Sequence, residues 1–267
     1  MITKEVRCKS LLNPSKLAVY CINPYIGCQH ACSYCYANPI TRRFSRHSEG
    51  WGEFVDVKIN APEVLRKEIS KKRKGQIFIS SLTDAYQPLE EKYELTRKLL
   101  EIALENQFPV CIQTKSFLVT RDIDLLKKFN EREVGFTITT LDESVRKNFE
   151  PFSSPIKERL EALKLLQENG INTYIFVGPV LPYLTDKSVE ELVKIASELK
   201  VDHLWVDKLN LKPGVWENIQ KILQNYYPEL LPAWREVFLS KNDYYEKFKE
   251  RVTGLCKENN VKCIFCY

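Results

Sequence analysis

The sequence lacks an apolar segment long enough to cross a membrane. Its longest nearly apolar run, residues 174–184, is interrupted by Gly178, Pro179 and Pro182, whereas a spanning helix needs about 20 apolar residues. The N-terminal segment also lacks the apolar stretch of a secretory signal. These absences exclude a membrane-spanning protein, and we expect a cytoplasmic protein with no membrane partner.

Internal repeats and low-complexity segments are also missing, so a fibrous or disordered chain is excluded. Hydrophobic residues make up 44% of the 267 residues and charged residues 28%, as in ordinary folded domains. The net charge of +5 neither requires nor excludes a polyanionic partner. The densest basic run, Lys71–Lys74, fits a solvated helix end before Gly75 or a nucleic-acid contact.

The nine cysteines are the most informative part of the composition. A cytosolic protein rarely keeps disulfides, and an odd number of cysteines cannot all pair. Metal binding is therefore the leading explanation. The cysteines form an early group and a late group around one isolated member: residues 8, 21, 28, 32 and 35, then Cys111, then residues 256, 263 and 266.

The order of predicted elements indicates an α/β fold, because short β-rich runs alternate with helical patterns from residue 17 to about 211. The predicted strands are 18–22, 76–80, 110–114, 134–139, 173–177 and 203–206. The predicted helices are 62–71, 93–105, 123–129, 156–168 and 189–199. This spacing fits either an α/β barrel or an open doubly wound sheet.

The last part of the chain has a different, aromatic and helical pattern. We therefore predict a core domain over residues 1–211 and a mainly helical C-terminal extension over residues 212–267. Its aromatic side chains are expected to pack against the core, and base stacking is the alternative.

The loop after the first strand, residues 23–37, contains Cys28, Cys32 and Cys35 in a C-x3-C-x2-C pattern. Three thiolates can hold three irons of a [4Fe-4S] cluster, which usually has four cysteine ligands. One iron then stays open for a cofactor or substrate. A closed structural zinc site is the alternative, with Cys21 or His30 as the fourth ligand.

This loop resembles that of the radical S-adenosylmethionine (SAM) superfamily, and Tyr34 matches its aromatic residue before the third cysteine. The resemblance is greatest to the branch that includes spore photoproduct lyase and covers residues 17 to about 186. The similar blocks are NPYIGCQHACSYCYA, WGEFVDVKINAPEVL, SSLTDAYQPLE, QTKSFLVTRDIDLL, TITTLDE and FEPFSSPIKERLEAL. It implies a partial (β/α)6 TIM-type barrel, a [4Fe-4S] cluster, reductive cleavage of SAM to a 5′-deoxyadenosyl radical, and an electron donor such as ferredoxin or flavodoxin.

The resemblance also implies contacts to SAM, with Tyr34 among the cofactor-binding residues. Thr83 and Asp84 are expected at the amino group and Lys115 at the carboxylate. Thr139 is expected at the ribose or carboxylate, and Gly178 permits close approach of the backbone to the adenine. Ordinary structural roles are the alternatives: a turn cap for Asp84, an exposed lysine for Lys115 and a β-branched strand residue for Thr139.

One departure from the lyase pattern changes the expected reaction. The lyase has a hydrogen-donating cysteine after its second strand, whereas this chain has Leu82 there and no cysteine between Cys35 and Cys111. Tyr36 matches a lyase tyrosine and is a candidate radical relay. We therefore expect another substrate, with nucleic acid as one class. The alternatives are a SAM-dependent enzyme that modifies tRNA or a peptide, and a non-catalytic metal-binding protein.

The late cysteines, Cys256, Cys263 and Cys266, are candidates for a zinc or a second iron–sulfur site. Cys8, Cys21 or the substrate would then supply a fourth ligand. The alternative is that Cys263 and Cys266 are buried residues of a final strand.

Overall fold

A mainly parallel sheet forms the centre of the molecule. The computed structural model describes residues 1–45, 47–240 and 242–267. The strands are β1 (Ile2–Val6), β2 (Asn13–Pro14), β3 (Tyr20–Ile22), β4 (Tyr25–Ile26), β5 (Phe54–Lys58), β6 (Ile77–Ile79), β7 (Val110–Thr114), β8 (Arg132–Thr137), β9 (Asn172–Val180), β10 (His203–Lys208) and β11 (Cys263–Phe265). The helices are α1 (Ala37–Thr41), α2 (Ala61–Ile69), α3 (Leu89–Tyr93), α4 (Leu95–Glu105), α5 (Ile123–Leu126), α6 (Glu143–Phe149), α7 (Ile156–Glu168), α8 (Val189–Glu198), α9 (Val215–Tyr226), α10 (Leu231–Leu239) and α11 (Tyr244–Glu258). Short 3-10 turns occur at Phe117–Asp122, Thr185–Lys187 and Pro228–Leu230.

The six strands predicted from the sequence are confirmed as β3, β6, β7, β8, β9 and β10. They are neighbours in chain order and all parallel, as successive βα units require. The sheet continues to β11 at one end and to antiparallel β2 at the other. Across the described residues these two ends do not pair with each other, so the barrel is partial.

The two faces of the sheet have different chemistry. One face is apolar and packs under the helices, with Ile22, Phe136 and Val206 fully buried. Each such side chain contributes about 1.5–3 kcal/mol through burial. Alternate strand residues point the other way, where Tyr174 reaches from β9 over Gly135 of β8: a Cβ at Gly135 would lie 2.0 Å from the Tyr174 ring. On this inner face the Cys111 sulfur lies 3.7 Å from the Tyr174 hydroxyl oxygen.

The C-terminal segment contributes to both the helical layer and the sheet. Trp234 of α10 is fully buried, and its indole donates to the Pro182 carbonyl at 2.9 Å. The last strand, β11, pairs in parallel with β10, Cys263 opposite Leu204. The extension is mainly helical, as predicted, and it also extends the sheet. The division between residues 211 and 212 stays a prediction.

A small second sheet, with the order β1-β5-β4, was not predicted. Its strand β1 is exposed and carries charged residues, so it lacks the apolar alternation of a half-buried strand. Helices α1, α3 and α6 were also missed. The small sheet adjoins the cysteine loop, because β4 is part of that loop.

In the described part of the chain, no helix combines the length and apolarity needed to cross a bilayer.

Candidate cluster and cofactor site

The loop 23–37 is tied to the loop that follows β6. The Asn23 side-chain oxygen accepts hydrogen bonds from the amides of Ser81 and Leu82 at 3.0 and 2.8 Å. The Thr83 hydroxyl donates to the Gly27 carbonyl at 2.6 Å. Gly27 has φ +90°, and a Cβ there would lie 2.4 Å from the Phe54 carbonyl oxygen, so glycine is required by both conformation and space.

The three loop cysteines lie together at the C-terminal ends of the strands. Cys28 and Cys32 are buried and Cys35 is half-buried. Burial raises the pKa of each thiol to about 12, and repulsion between the thiolates adds to the effect. Because a metal requires deprotonated thiols, these residues are neutral until a cation binds.

The described residues contain no group of three His, Cys, Asp or Glu side chains that converges on a single metal ion. A zinc ion would need ligands about 2.0–2.3 Å from one point. The thiolates of an iron–sulfur cluster each bind a different iron and do not converge. Which of the two groups the three thiolates hold stays a prediction.

Asp84 lies after β6, as predicted, and its carboxylate is fully engaged by protein groups. It accepts hydrogen bonds from the amides of Tyr86 and Lys115 and from the Thr114 hydroxyl, at 2.9, 2.8 and 2.7 Å. The His30 Nδ1 lies 3.2 Å away. Burial acts to raise the pKa of Asp84, but His30 and these hydrogen bonds hold it well below its usual range. Asp84 is therefore bound to the end of β7 by hydrogen bonds, and its carboxylate faces His30 of the cysteine loop.

The Thr83 hydroxyl also has protein hydrogen-bond partners, both as a donor and as an acceptor. Its hydroxyl donates to Gly27 and accepts from the Gln87 side chain at 3.0 Å. The structure thus places Thr83 and Asp84 beneath the loop, with side chains that hold it in shape. Asp84 also has the turn-capping role that the sequence left as an alternative, since it accepts from the amide two residues later.

Lys115 is a half-buried cation directly after β7. Its ammonium lies 5.8 Å from the centre of the Tyr34 ring, and within the described residues it forms no ion pair with a carboxylate. Burial lowers the pKa of Lys115, but Cys32, Glu150 and Asp84 outweigh it, so the pKa is raised. A charged ammonium without a carboxylate partner, beside a buried thiol, attracts an anionic group.

Glu150 contacts two of the predicted site residues, Tyr34 and Thr139, but was not itself predicted from the sequence. It is fully buried, pairs with Arg159, and accepts hydrogen bonds from the hydroxyls of Tyr34 and Thr139, the latter at 3.1 Å. Burial acts to raise its pKa, but Arg159 and Lys115 lower it to about 2. The block FEPFSSPIKER contains both Glu150 and Arg159, and was the available signal for this pair.

Tyr36 lies at the barrel mouth, where its hydroxyl donates to the Ser81 carbonyl. The Cys21 thiol contacts the hydroxyl of the same serine, with 3.1 Å between Sγ and Oγ. The loop after β6 has no cysteine of its own, but Cys21 of β3 places a thiol beside Ser81 at the start of that loop.

Gly178 lies on β9, and a Cβ there would lie 2.3 Å from the Phe176 ring. The contact of Gly178 with adenine stays a prediction.

The late cysteines are only partly brought together. Cys256 on α11 contacts Cys263 on β11, and this hydrogen bond lowers the pKa of the Cys256 thiol. Cys266 follows the last residue of β11, Phe265, and it is exposed. All three thiols are free of disulfides.

Comparisons with known proteins match both the loop and the fold. The family model of the radical SAM superfamily matches residues 22–196. An uncharacterised protein of Methanocaldococcus jannaschii is 36% identical over 259 residues, which are 96% of this chain and 94% of that protein. Spore photoproduct lyase of Clostridium acetobutylicum is 28% identical over 230 residues, 84% of this chain and 62% of the lyase.

A solved structure of a mutant spore photoproduct lyase, with bound AdoMet and dinucleoside spore photoproduct, superposes with a TM-score of 0.75. The identity is 15%, and the match covers 100% of this chain and 82% of the lyase chain, so it shows a shared fold. The family model begins at the end of β3, includes the cysteine loop and ends in α8. This chain therefore belongs to the radical SAM superfamily, and it is similar to the branch that includes spore photoproduct lyase.

Proposed function

We propose that this radical SAM enzyme binds a [4Fe-4S] cluster through Cys28, Cys32 and Cys35 and leaves one iron open for SAM. The observation that carries this assignment is the Lys115 ammonium, which lies unpaired beside the buried thiols. When bound, the cluster supplies one electron to the sulfonium of SAM, and cleavage of the C5′–S bond gives a 5′-deoxyadenosyl radical that removes hydrogen from a substrate.

The side chains around the loop have two roles in this proposal. Lys115 holds the carboxylate of SAM by charge, as expected from its place at the strand end. Tyr34 and Thr139 donate hydrogen bonds to Glu150, so their side chains have fixed positions beside the loop. Asp84 and Thr83 hold the loop rather than the amino group of SAM, because their acceptor and donor atoms already have protein partners.

Tyr36 and Cys21 are the residues we assign to hydrogen transfer. They contact Ser81 from two sides, one through its carbonyl and one through its hydroxyl. Burial raises the pKa of both the phenol and the thiol, so each keeps its hydrogen at neutral pH. Once the Cys21 thiol has given its hydrogen atom to a substrate radical, the resulting thiyl radical can take a hydrogen atom from the neutral phenol of Tyr36, which re-forms the thiol, leaves a phenoxyl radical and separates no charge.

A component of nucleic acid is the substrate class that we propose. The support is the solved lyase, which binds a dinucleoside and matches the whole length of this chain. The reductant is a one-electron carrier such as ferredoxin or flavodoxin. A cytoplasmic location also remains a prediction, and the nine free cysteines agree with a reducing compartment.

The late cysteines do not support a second metal site of three thiolates. Cys256 contacts Cys263, whereas Cys266 lies beyond the end of β11 and is exposed. We infer that Cys256 and Cys263 pack as neighbours and that Cys266 acts separately.

The decisive experiment is reconstitution of the cluster without oxygen, followed by reduction with dithionite in the presence of SAM. We expect 5′-deoxyadenosine from the wild type and from Cys111→Ala, a control cysteine outside the loop. Cys32→Ala should lose both the iron and the product, because two thiolates cannot hold the cluster. Failure of the wild type to bind SAM, or zinc with four protein ligands in place of iron, would reject the proposal.

A further inference from the structure

The inner face of β9 and β10 carries two aromatic side chains, Phe176 and Trp205. Their neighbours along both strands are fully buried in the apolar core: Ile175, Val177, Leu204 and Val206. Because alternate residues of a strand point to opposite faces, Phe176 and Trp205 face the inside of the barrel. They are register partners on adjacent strands, and both are half-buried. The inside of the barrel therefore has an aromatic wall that is partly open to solvent.

Asp207 lies on the same inner face, two residues after Trp205 and near the C-terminal end of β10. The register between β9 and β10 shifts at this point, so that Asp207 lies opposite Gly178 and Pro179. Gly178 has no side chain, and the Phe176 ring fills the place that a Cβ would take there. The carboxylate of Asp207 is thus placed at the upper edge of the aromatic wall.

The Asp207 carboxylate is half-buried, and within the described residues it forms no ion pair. Burial raises the pKa of Asp207, and the amide and the charge of Lys208 act against this shift. The Lys208 ammonium itself lies 5.3 Å from the centre of the Tyr267 ring, so it is engaged by that ring. A half-buried carboxylate without a cation is stabilised by hydrogen bonds from a ligand.

The surroundings of Asp207 place it at the barrel mouth. Burial raises the pKa of the Tyr36 phenol, and the negative charge of Asp207 is one of the neighbouring charges that add to this effect. On the other side of Asp207, the Cys266 amide donates to the Val206 carbonyl at 2.9 Å, and Cys266 is exposed. Neither neighbour is a cation. Asp207 is therefore an acceptor at the place where a substrate approaches Tyr36.

An aromatic wall with a carboxylate at its edge is suited to a nucleobase. Aromatic side chains stack on any base, because every base has a π-face. A carboxylate accepts a hydrogen bond from an exocyclic amino group such as N4 of cytosine. Uracil and thymine carry a carbonyl oxygen at that position, which a carboxylate repels. The wall would bind bases in general, and the carboxylate would distinguish among them.

We propose that Asp207, at the edge of the wall formed by Phe176 and Trp205, selects a substrate base that has an exocyclic amino group. The proposal rests on the nucleic-acid substrate class proposed above and narrows it to cytosine, adenine and guanine. The base stacks on the wall and donates N–H hydrogen bonds to Asp207. Lys115, at the end of a different strand, remains available to the carboxylate of SAM.

The test uses the dinucleotides d(CpC) and d(UpU), whose bases differ only in the amino group or carbonyl oxygen at C4 and in the proton at N3. Calorimetric titration gives the Kd of each for the reconstituted chain with SAM and without a reductant, so that no SAM is cleaved. Asp207→Asn keeps the shape of the side chain and removes its charge. Asp243→Asn makes the same change at an exposed position directly before α11 and is the matched control. Trp205→Leu removes one ring of the wall.

We expect the wild type and Asp243→Asn to bind d(CpC) about tenfold more tightly than d(UpU), because one good contact to a base edge is worth this factor. Asp207→Asn should bring the two Kd values within about twofold of each other. Trp205→Leu should weaken both dinucleotides equally and keep the preference, since stacking does not depend on the base edge.

Equal binding of the two dinucleotides by the wild type, or a preference that Asp207→Asn retains, would overturn the proposal and leave the nucleic-acid class in place. A wild type that binds neither dinucleotide would reject that class, and the proposal with it. Weaker SAM binding by Asp207→Asn, with the preference for d(CpC) retained, would mean that the wall and its carboxylate serve the cofactor instead.

Discussion

Glu150 gives the sharpest test of the buried side-chain contacts beside the cysteine loop. It is fully buried, and it is the carboxylate that pairs with the equally buried Arg159. The change Glu150→Gln keeps the shape and the acceptor for Tyr34 and Thr139 but removes the charge. Arg159 then remains in the interior without an anion, so we expect a large loss of stability.

Two lines of reasoning give the same magnitude. The pKa of Glu150 falls from 4.5 to about 2 on folding, and each pKa unit is worth about 1.4 kcal/mol, so the charged form stabilises the fold by about 3 kcal/mol. Removal of one partner from a buried ion pair typically costs about 3–5 kcal/mol. We therefore expect Glu150→Gln to lower the free energy of unfolding by about 3–4 kcal/mol at pH 7.

The assay is urea unfolding of the metal-free chain under reducing conditions, at several pH values. Because the folded pKa lies below the unfolded one, this stabilisation is complete above about pH 5 and is lost as the pH falls towards 2. The gap between wild type and Glu150→Gln should therefore close over that range. Glu161→Gln, an exposed position on α7, the helix that carries Arg159, should change stability by less than about 0.5 kcal/mol. A cost below about 1 kcal/mol for Glu150→Gln, or a gap that does not change with pH, would refute the reasoning.

Two further predictions concern the loop and the C-terminus. Gly27→Ala should lose most of its iron on reconstitution, because its Cβ would clash with the Phe54 carbonyl. The control Gly254→Ala has open space in α11, so it should keep its iron and gain up to about 1 kcal/mol in the free energy of unfolding by urea. Equal iron in the two variants would contradict the role of Gly27. Cys263→Ala with Cys266→Ala should leave the iron per chain unchanged, since Cys263 packs against Cys256 and Cys266 is exposed beyond the end of β11, and loss of iron would show a second cluster.

Much of the fold could be predicted from the sequence, because local patterns determine its main elements. The helix over 156–168 and the strand over 110–114 have the predicted bounds, since apolar periodicity and caps or turns coincide there. The strand Ile2–Val6 could not be found in this way. It is exposed and charged, and it exists because β5 offers it a partner.

The candidate site likewise has a part that local sequence predicts and a part that depends on distant residues. The spacing of Cys28, Cys32 and Cys35 is local, and it is visible in eight residues of sequence. The bond between Tyr34 and Glu150 joins residues 116 positions apart, so the sequence contains both partners but not their pairing. Asp84 shows a further limit: its position was predicted, but its atoms are used by the protein itself.

The central claim is that one iron of a cluster held by three cysteines stays open for SAM. The most direct measurement is electron–nuclear double resonance of the reduced, reconstituted protein with SAM labelled at its amino nitrogen and carboxylate oxygen. The account predicts magnetic coupling between the cluster and both labels. A spectrum that SAM leaves unchanged would contradict it, because a protein side chain would then occupy the fourth iron.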